Sequence, residues 1–137
     1  MAVGLVINDV PINCVIQASH QYYVPVPLIL SILKAENGRV GMANPNKNGT
    51  VDYGPMQINS IWVKRVEPYG YTAYDLQYNA CANVQVGTWI LAKAIADGKD
   101  FWGGVADYHS HSYYENQKYG SRVSQYYYSL MHSLSTP

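Results

Sequence analysis

Charge is scarce in this chain of 137 residues. Nine lysines and arginines balance nine aspartates and glutamates, so the formal net charge is zero. Nucleic acids and anionic membranes are bound by strongly basic surfaces, and this composition offers none. We therefore expect no nucleic-acid partner and the surface of an ordinary soluble protein.

Long hydrophobic runs are also missing. The most apolar stretch, residues 24–33, is short and is interrupted by Pro25 and Pro27, so we expect no membrane span. Residues 1–7 lack the basic start and the full apolar core of a signal peptide. Two alternatives remain open at this point: the protein stays in the cytoplasm, or a signal has been removed.

Only two cysteines are present, Cys14 and Cys81, and they do not form a Cys-x-x-Cys pair. Two thiols alone do not make a zinc site. Their wide spacing is equally compatible with two buried small residues and with one long-range disulfide. The chain has one phenylalanine against fourteen tyrosines, an excess that suits a carbohydrate groove without proving one.

Apolar residues make up 48% of the chain, enough for one domain with one core. Helical spacing begins at Ile12, and a second helix begins near Pro27 and ends at Gly38. Turn-forming residues over 39–53 predict a loop or short β-hairpin. Further helices are predicted over residues 60–67, 80–97, 100–109 and 115–132. The expected fold class is mainly α, with one β excursion after the second helix.

One acidic side chain, Glu36, ends the apolar second helix. Alone it would be taken for an exposed helix-end glutamate. In the segment that follows, Gln57 and Asn59 alternate with Met56 and Ile58. An extended backbone would turn both amides to one face and both apolar groups to the core. Amides supply the donors and acceptors that orient a neutral polysaccharide.

Four segments, in order and covering nearly the whole chain from Cys14, resemble a known family. They are Ala35-Glu36 followed by Asn48-Gly49-Thr50-Val51-Asp52-Tyr53-Gly54-Pro55-Met56-Gln57-Ile58-Asn59, then Cys81-Ala82-Asn83-Val84-Gln85-Val86-Gly87, Ala106-Asp107-Tyr108-His109-Ser110 and Tyr119-Gly120-Ser121-Arg122-Val123. They resemble the catalytic Glu, Gly-Leu-Met-Gln-Ile-Asn, Asn-Ile-x-x-Gly, Ala-x-Tyr-Asn and Tyr-x-x-x-Val motifs of lytic transglycosylases and of goose- and chicken-type lysozymes. The chain is most similar to the small members that accompany conjugation, pilus and secretion machines.

The resemblance implies a lysozyme-like domain over residues 12–137, with residues 1–11 as an extension left after signal removal. It also implies export to the periplasm or beyond, a Cys14–Cys81 disulfide, peptidoglycan glycan strands as substrate and partners in a secretion or conjugation machine. We expect a monomer without a cofactor. Two positions depart from the family pattern: Asn37 replaces the usual Ser, and His109 replaces the usual Asn. Both replacements can form hydrogen bonds, so we expect the site to survive.

For the chemistry, the resemblance implies that Glu36 is the general acid, since burial beside Ile32 and Leu33 would favour a protonated carboxyl. In a transglycosylase the same glutamate then activates the muramyl 6-hydroxyl and leaves a 1,6-anhydro end. Asp52 is the expected auxiliary carboxylate; it would serve a lysozyme-type hydrolase, or merely cap a turn. Substrate binding is assigned to Gly54, Met56, Gln57, Asn59, Tyr108 and His109, with the Tyr108 hydroxyl orienting Glu36 unless it is a core tyrosine.

Three other interpretations were weighed. Residues 44–55 resemble an EF-hand calcium loop, but Pro55 stands where a bidentate glutamate is needed, so calcium is not expected. His109 and His111 lack further ligands nearby in sequence, so no metal is expected there. A scaffold that binds glycan without cutting it stays open, although the presence of Glu36, Gln57 and Asn59 argues against lost activity.

Overall fold

A computed structural model describes residues 4–109 and 113–135. Most of them are helical, which confirms the expected fold class. The helices are α1 (Ile12–Tyr22), α2 (Val26–Glu36), α3 (Val63–Val66), α4 (Ala73–Tyr78), α5 (Ala80–Asp97), α6 (Phe101–His109) and α7 (Tyr113–Ser135), with 3₁₀ turns at Ser60–Trp62 and Glu67–Tyr69. No helix in these two ranges is both long and apolar enough to cross a bilayer.

The strands form two small antiparallel sheets: β1 (Val6–Ile7) with β2 (Val10–Pro11), and β3 (Ala43–Pro45), β4 (Val51–Tyr53) and β5 (Ile58–Asn59) in that order. The second sheet is the β excursion predicted after Glu36. Helix α5 packs against α1, α4 and α6, while α2 packs against α7. Fully buried Leu28, Leu33 and Leu91 belong to the single core between these helices.

The N-terminal hairpin packs onto the end of α2. Its two turn residues, Asn8 and Asp9, have φ angles of 54° and 66°, which Asn and Asp adopt readily in tight hairpin turns. The Asn8 side chain donates hydrogen bonds to the carbonyl oxygens of Leu33 and Gly38, both at 3.0 Å. Val10 is completely buried. The hairpin therefore supports the helix end that carries Glu36.

A disulfide joins Cys14 of α1 to Cys81 of α5, with their Cα atoms 5.0 Å apart. This is the pairing that the family resemblance implies. The bridge closes a loop across a sequence separation of 67 residues. Loss of chain entropy in the unfolded state would make such a crosslink worth roughly 4 kcal/mol.

The structure differs from the predicted helices in three places. Helix α2 ends at Glu36, because Asn37 and not Gly38 takes the left-handed conformation, with φ 54°. The helix predicted over residues 60–67 is split into a 3₁₀ turn, α3 and a second 3₁₀ turn. Helix α4 was not predicted, although Thr72 and Asp75 form a capping box at its start.

Candidate active site

Glu36 is the last residue of an anchored helix. Pro27 lies in the first turn of α2, where its missing N–H costs nothing, and the aliphatic residues that follow are buried. Asn37 then reverses the backbone and donates its N–H to the Leu33 oxygen at 2.9 Å. The Glu36 side chain is left only 9% exposed. The local sequence thus delivers one nearly desolvated carboxyl to a fixed point.

Two glycines allow the chain after Glu36 to touch the turn over residues 54–57. A Cβ at Gly38 would collide with the carbonyl oxygens of Gly54 and Pro55. Gly54 has a φ of 67°, and a Cβ there would collide with the Asn83 side chain. A larger residue at Gly38 would push the chain after Glu36 away from the turn, and a larger residue at Gly54 would push the turn away from Asn83.

Asn83 of α5 holds that turn in place. It is completely buried, and its Oδ1 accepts a hydrogen bond from the Met56 N–H at 2.9 Å. Its Nδ2 donates to the carbonyl oxygens of Tyr53 and Leu76 at 2.9 and 2.7 Å. Gly87, one helical turn later, leaves the space that the Met56 side chain fills. These contacts give a physical reason for the Asn and Gly of the 81–87 segment.

The sequence predicted correctly which side chains of residues 56–59 are buried and which face the groove, but the extended backbone it assumed is wrong. Met56 and Ile58 are buried, while Gln57 and Asn59 face a groove. However, residues 54–57 form a turn in which Gln57 has a φ of 51°, and only Ile58–Asn59 is strand. Gln57 donates to the Gly54 oxygen at 2.9 Å and accepts from Asn44 at 2.8 Å.

Asp52 lies on the sheet, opposite Asn59 in the register of β4 and β5. The Asn59 Nδ2 donates to Asp52 Oδ1 and to Thr50 Oγ1, both at 3.0 Å. The Asn59 Oδ1 accepts from the Ile61 N–H, which fixes the amide orientation. Asp52 is therefore a hydrogen-bonded carboxylate that lines the groove, and not a turn cap.

Tyr108 of α6 does not use its hydroxyl as we predicted. The hydroxyl donates to the Met56 carbonyl oxygen at 2.8 Å instead of to Glu36. Burial raises the pKa of Tyr108 well above its ordinary value, and the charges of Glu36 and Asp52 raise it further. Tyr108 therefore stays protonated, lies close to both carboxylates and ties α6 to the 54–57 turn.

His109 and Tyr119 complete the surroundings of Glu36. The His109 Nδ1 lies 3.5 Å from Glu36 Oε2, and its ring stacks on that of Tyr119 with centroids 4.5 Å apart. Burial raises the pKa of Tyr119 well above its ordinary value, followed by the charge of Glu36. The buried Tyr119 hydroxyl lies near enough to Glu36 for that carboxyl to raise its pKa, but it meets the geometry of a hydrogen bond with no group in the described part of the chain.

Between the sheet and the helices lies a groove of about 450 Å³, a size typical of ligand sites. Trp62 lines it, packed edge-to-face on Trp89 at 5.7 Å and covered by the Arg65 guanidinium at 4.8 Å. The groove is lined by Glu36, Asn46, Lys47, Asn48, Thr50, Asp52, Gln57, Ile58, Asn59, Trp62, Ile90, Tyr108, His109 and Glu115.

Among the predicted site residues, Glu36, Asp52, Gln57, Asn59, Tyr108 and His109 meet in the groove. Gly54 and Met56 lie behind it and shape the turn. Sequence reasoning gave no site role to Tyr119, whose only signal was its place in the fourth motif. Ser110 and His111 lie outside the described residues. Within residues 4–109 and 113–135, no three His, Cys, Asp or Glu side chains cluster as a metal site would require.

Comparison with known proteins gives one family. The model of the transglycosylase SLT domain matches residues 13–125. Invasion protein IagB of Salmonella typhimurium is 30% identical over 107 residues, which cover 77% of this chain and 67% of the relative. Protein IpgF of Shigella flexneri is 30% identical over 99 residues, covering 72% of this chain and 65% of the relative. A peptidoglycan-binding-like protein of Escherichia coli O157:H7 is 31% identical over 97 residues, covering 68% and 57%.

Proposed function

The chain belongs to the transglycosylase SLT domain family, whose fold is lysozyme-like, and on that premise we propose that it is a peptidoglycan lytic transglycosylase. It would cleave the β-1,4 bond between N-acetylmuramic acid and N-acetylglucosamine and leave a 1,6-anhydromuramyl end. One observation carries the proposal: Glu36 is 9% exposed and borders a groove lined by amides and a tryptophan.

The first step needs a proton on the glycosidic oxygen. Glu36 donates it as the bond from the muramyl C1 to that oxygen breaks, and the leaving sugar departs with its 4-hydroxyl restored. Tyr108 and Tyr119 keep water away from the carboxyl, and both hydroxyls remain protonated because burial raises their pKa values.

The second step returns that proton. Glu36, now a carboxylate, accepts the proton of the muramyl 6-hydroxyl while the 6-oxygen bonds to C1. No external water is consumed, and the enzyme ends in the protonation state in which it began. The same carboxyl therefore serves as acid and then as base, as transglycosylation requires.

Asp52 would stabilise the positive charge that develops at C1. Asn59 donates a hydrogen bond to its carboxylate at 3.0 Å, and Asp52 lines the same groove as Glu36. The same placement supports the second candidate, a hydrolase in which Asp52 acts as a nucleophile and water ends the reaction. We favour the transglycosylase because the chain matches that family along residues 13–125.

Substrate orientation would come from the amides that line the groove and from Trp62. Asn46, Asn48 and Gln57 border the groove, where their amides can exchange hydrogen bonds with hydroxyl and N-acetyl groups. The half-buried indole of Trp62 is held by Arg65 and Trp89, so it offers a fixed face for a sugar ring. A domain that bound glycan without cutting it would need this surface but not the buried Glu36.

We place this activity outside the cytoplasm, where peptidoglycan lies and where a disulfide such as Cys14–Cys81 persists. We also propose that the domain opens the wall for a secretion, pilus or conjugation machine; one of its relatives, IagB, is named an invasion protein. We propose that the domain acts as a monomer on glycan strands.

The decisive experiment is mass spectrometry of muropeptides released from purified peptidoglycan. Anhydro ends differ from reducing ends by one water, so the product identifies the reaction. We expect anhydromuramyl ends, with Glu36→Gln as the matched inactive control. Reducing ends alone would establish the hydrolase, and binding without release would establish the scaffold.

A further inference from the structure

His109 is fixed between the catalytic carboxyl and a buried ring. It ends α6, and its imidazole stacks on Tyr119 with an angle of 6° between the ring planes. This stack directs Nδ1 to Glu36 Oε2, 3.5 Å away. A contact of this length is within reach of a hydrogen bond once the two groups are drawn together by a bound substrate. The geometry is that of a partner for Glu36.

The groups around His109 favour its protonated form. The hydrogen bond to Glu36 raises its pKa most, burial lowers it, and the charge of Glu36 raises it again. From α7, Arg122 lowers the pKa and Glu115 raises it, with a net shift above the ordinary value. Since the side chain is 39% exposed, it exchanges protons with water and is not a sealed core residue.

We propose that His109 is a positioning residue that shares one proton with Glu36. The proton rests either on Nδ1, beside a carboxylate, or on Glu36, beside a neutral imidazole. This rests on the proposed function, in which Glu36 is the acid. While the pair holds one proton, the fraction of pairs with that proton on Glu36 does not change with pH. While the pair holds one proton, His109 therefore keeps the protonated fraction of Glu36 constant.

The substrate would complete the transfer. His109 and Glu36 both line the groove, so a bound glycan covers the open edge of the imidazole. Removing water from an ion pair disfavours the charged arrangement relative to the neutral one. The shared proton then moves from Nδ1 to Oε2, and Glu36 becomes the acid when a sugar chain is in place.

Nuclear magnetic resonance tests the pair without turnover. The His109 ring is titrated in the wild type and in Glu36→Gln, which keeps the shape of the side chain but removes its charge. We expect the His109 midpoint to fall in the variant. An unchanged midpoint would overturn the shared proton even if the enzyme cleaves peptidoglycan.

The pH profile of cleavage tests whether sharing the proton keeps the protonated fraction of Glu36 constant. His109→Asn keeps an N–H donor but cannot titrate, so its acid form should decline by about tenfold per pH unit once Glu36 ionises. The wild type should stay nearly flat until His109 loses its proton, and His20→Asn, at an exposed position of α1, should follow the wild type. Parallel profiles for the wild type and His109→Asn would refute the proposal, whereas a wild type that releases no muropeptides would refute the proposed function instead.

Discussion

The two walls of the groove present their carboxylates in opposite ways. On the helical wall, Glu36 is surrounded by the rings of Tyr108, His109 and Tyr119 and is almost hidden from water. On the sheet wall, Asp52 accepts a hydrogen bond from Asn59, in a layer of side chains that bind one another. One wall removes water from a carboxyl, and the other replaces water with an amide.

This difference separates the roles of the two acids. A carboxyl group shielded from water can pass its proton directly to a glycosidic oxygen, whereas a carboxyl group held by an amide donor is fixed to face a developing positive charge. Glu36 therefore suits acid and base work, and Asp52 suits charge stabilisation. The following predictions test whether the walls differ in function as they do in structure.

The largest effect is expected on the helical wall, from Glu36→Gln. The amide keeps the shape of the side chain but cannot deliver a proton, so release of muropeptides should fall on the order of a hundredfold or more. Circular dichroism and thermal unfolding should show an intact fold. Near-normal cleavage by the folded variant would falsify the assignment of Glu36.

A smaller effect is expected on the sheet wall, from Asp52→Asn. The amide oxygen still accepts from Asn59, so the sheet should persist while charge stabilisation is lost. We expect cleavage to slow by roughly tenfold, with anhydromuramyl ends still formed. Asp97→Asn, at an exposed position of α5, is the matched control. An almost dead Asp52→Asn enzyme would instead mark a nucleophile, which in a retaining pair lies about 5 Å from the acid.

The helical wall could be predicted largely from the sequence, because its signals are local. Pro27 at the start of α2 and the apolar run before Glu36 are enough to place a carboxyl at a helix end. The Tyr119 contribution could not be derived this way. Its ring meets His109 and Glu36 only after α7 folds back onto α2 and α6, a contact that no local pattern encodes.

On the sheet wall, local sequence predicted the right result for the wrong reason. The alternation of residues 56–59 predicted the correct faces, yet the backbone reason was wrong, because Asn83 binds the Met56 N–H and holds a turn. Local sequence also misplaced the end of α2. Asn37 takes the left-handed conformation that glycine usually adopts at a helix end, and Gly38 instead lies in close contact with Gly54. Tertiary hydrogen bonds and close approaches decided both cases over local propensity.

The helical wall also allows a comparison between its two buried tyrosines. Tyr108→Phe deletes a donor to the Met56 oxygen and should lower the free energy of unfolding by about 1 kcal/mol. Tyr119→Phe deletes a buried hydroxyl that has no partner among the described residues, so it should cost less or even stabilise. Urea unfolding measures both. An equal loss for the two variants would show that the Tyr119 hydroxyl is bonded in solution.

The smallest effect concerns the pH dependence of folding at His109. Glu36 is the main cause of its raised pKa, so the folded protein binds this proton more tightly than the unfolded chain does. The resulting stabilisation is fully present below the unfolded value of about 6.5 and is lost as pH rises through the raised folded value. The free energy of unfolding should therefore fall more over that range in the wild type than in His109→Asn, as urea titrations at several pH values would measure.

The difference should be small because the side chain is 39% exposed and water screens the pair. The same slope in both proteins would mean that the imidazole gains nothing from Glu36 on folding, and the helical wall would then differ from the sheet wall in desolvation alone.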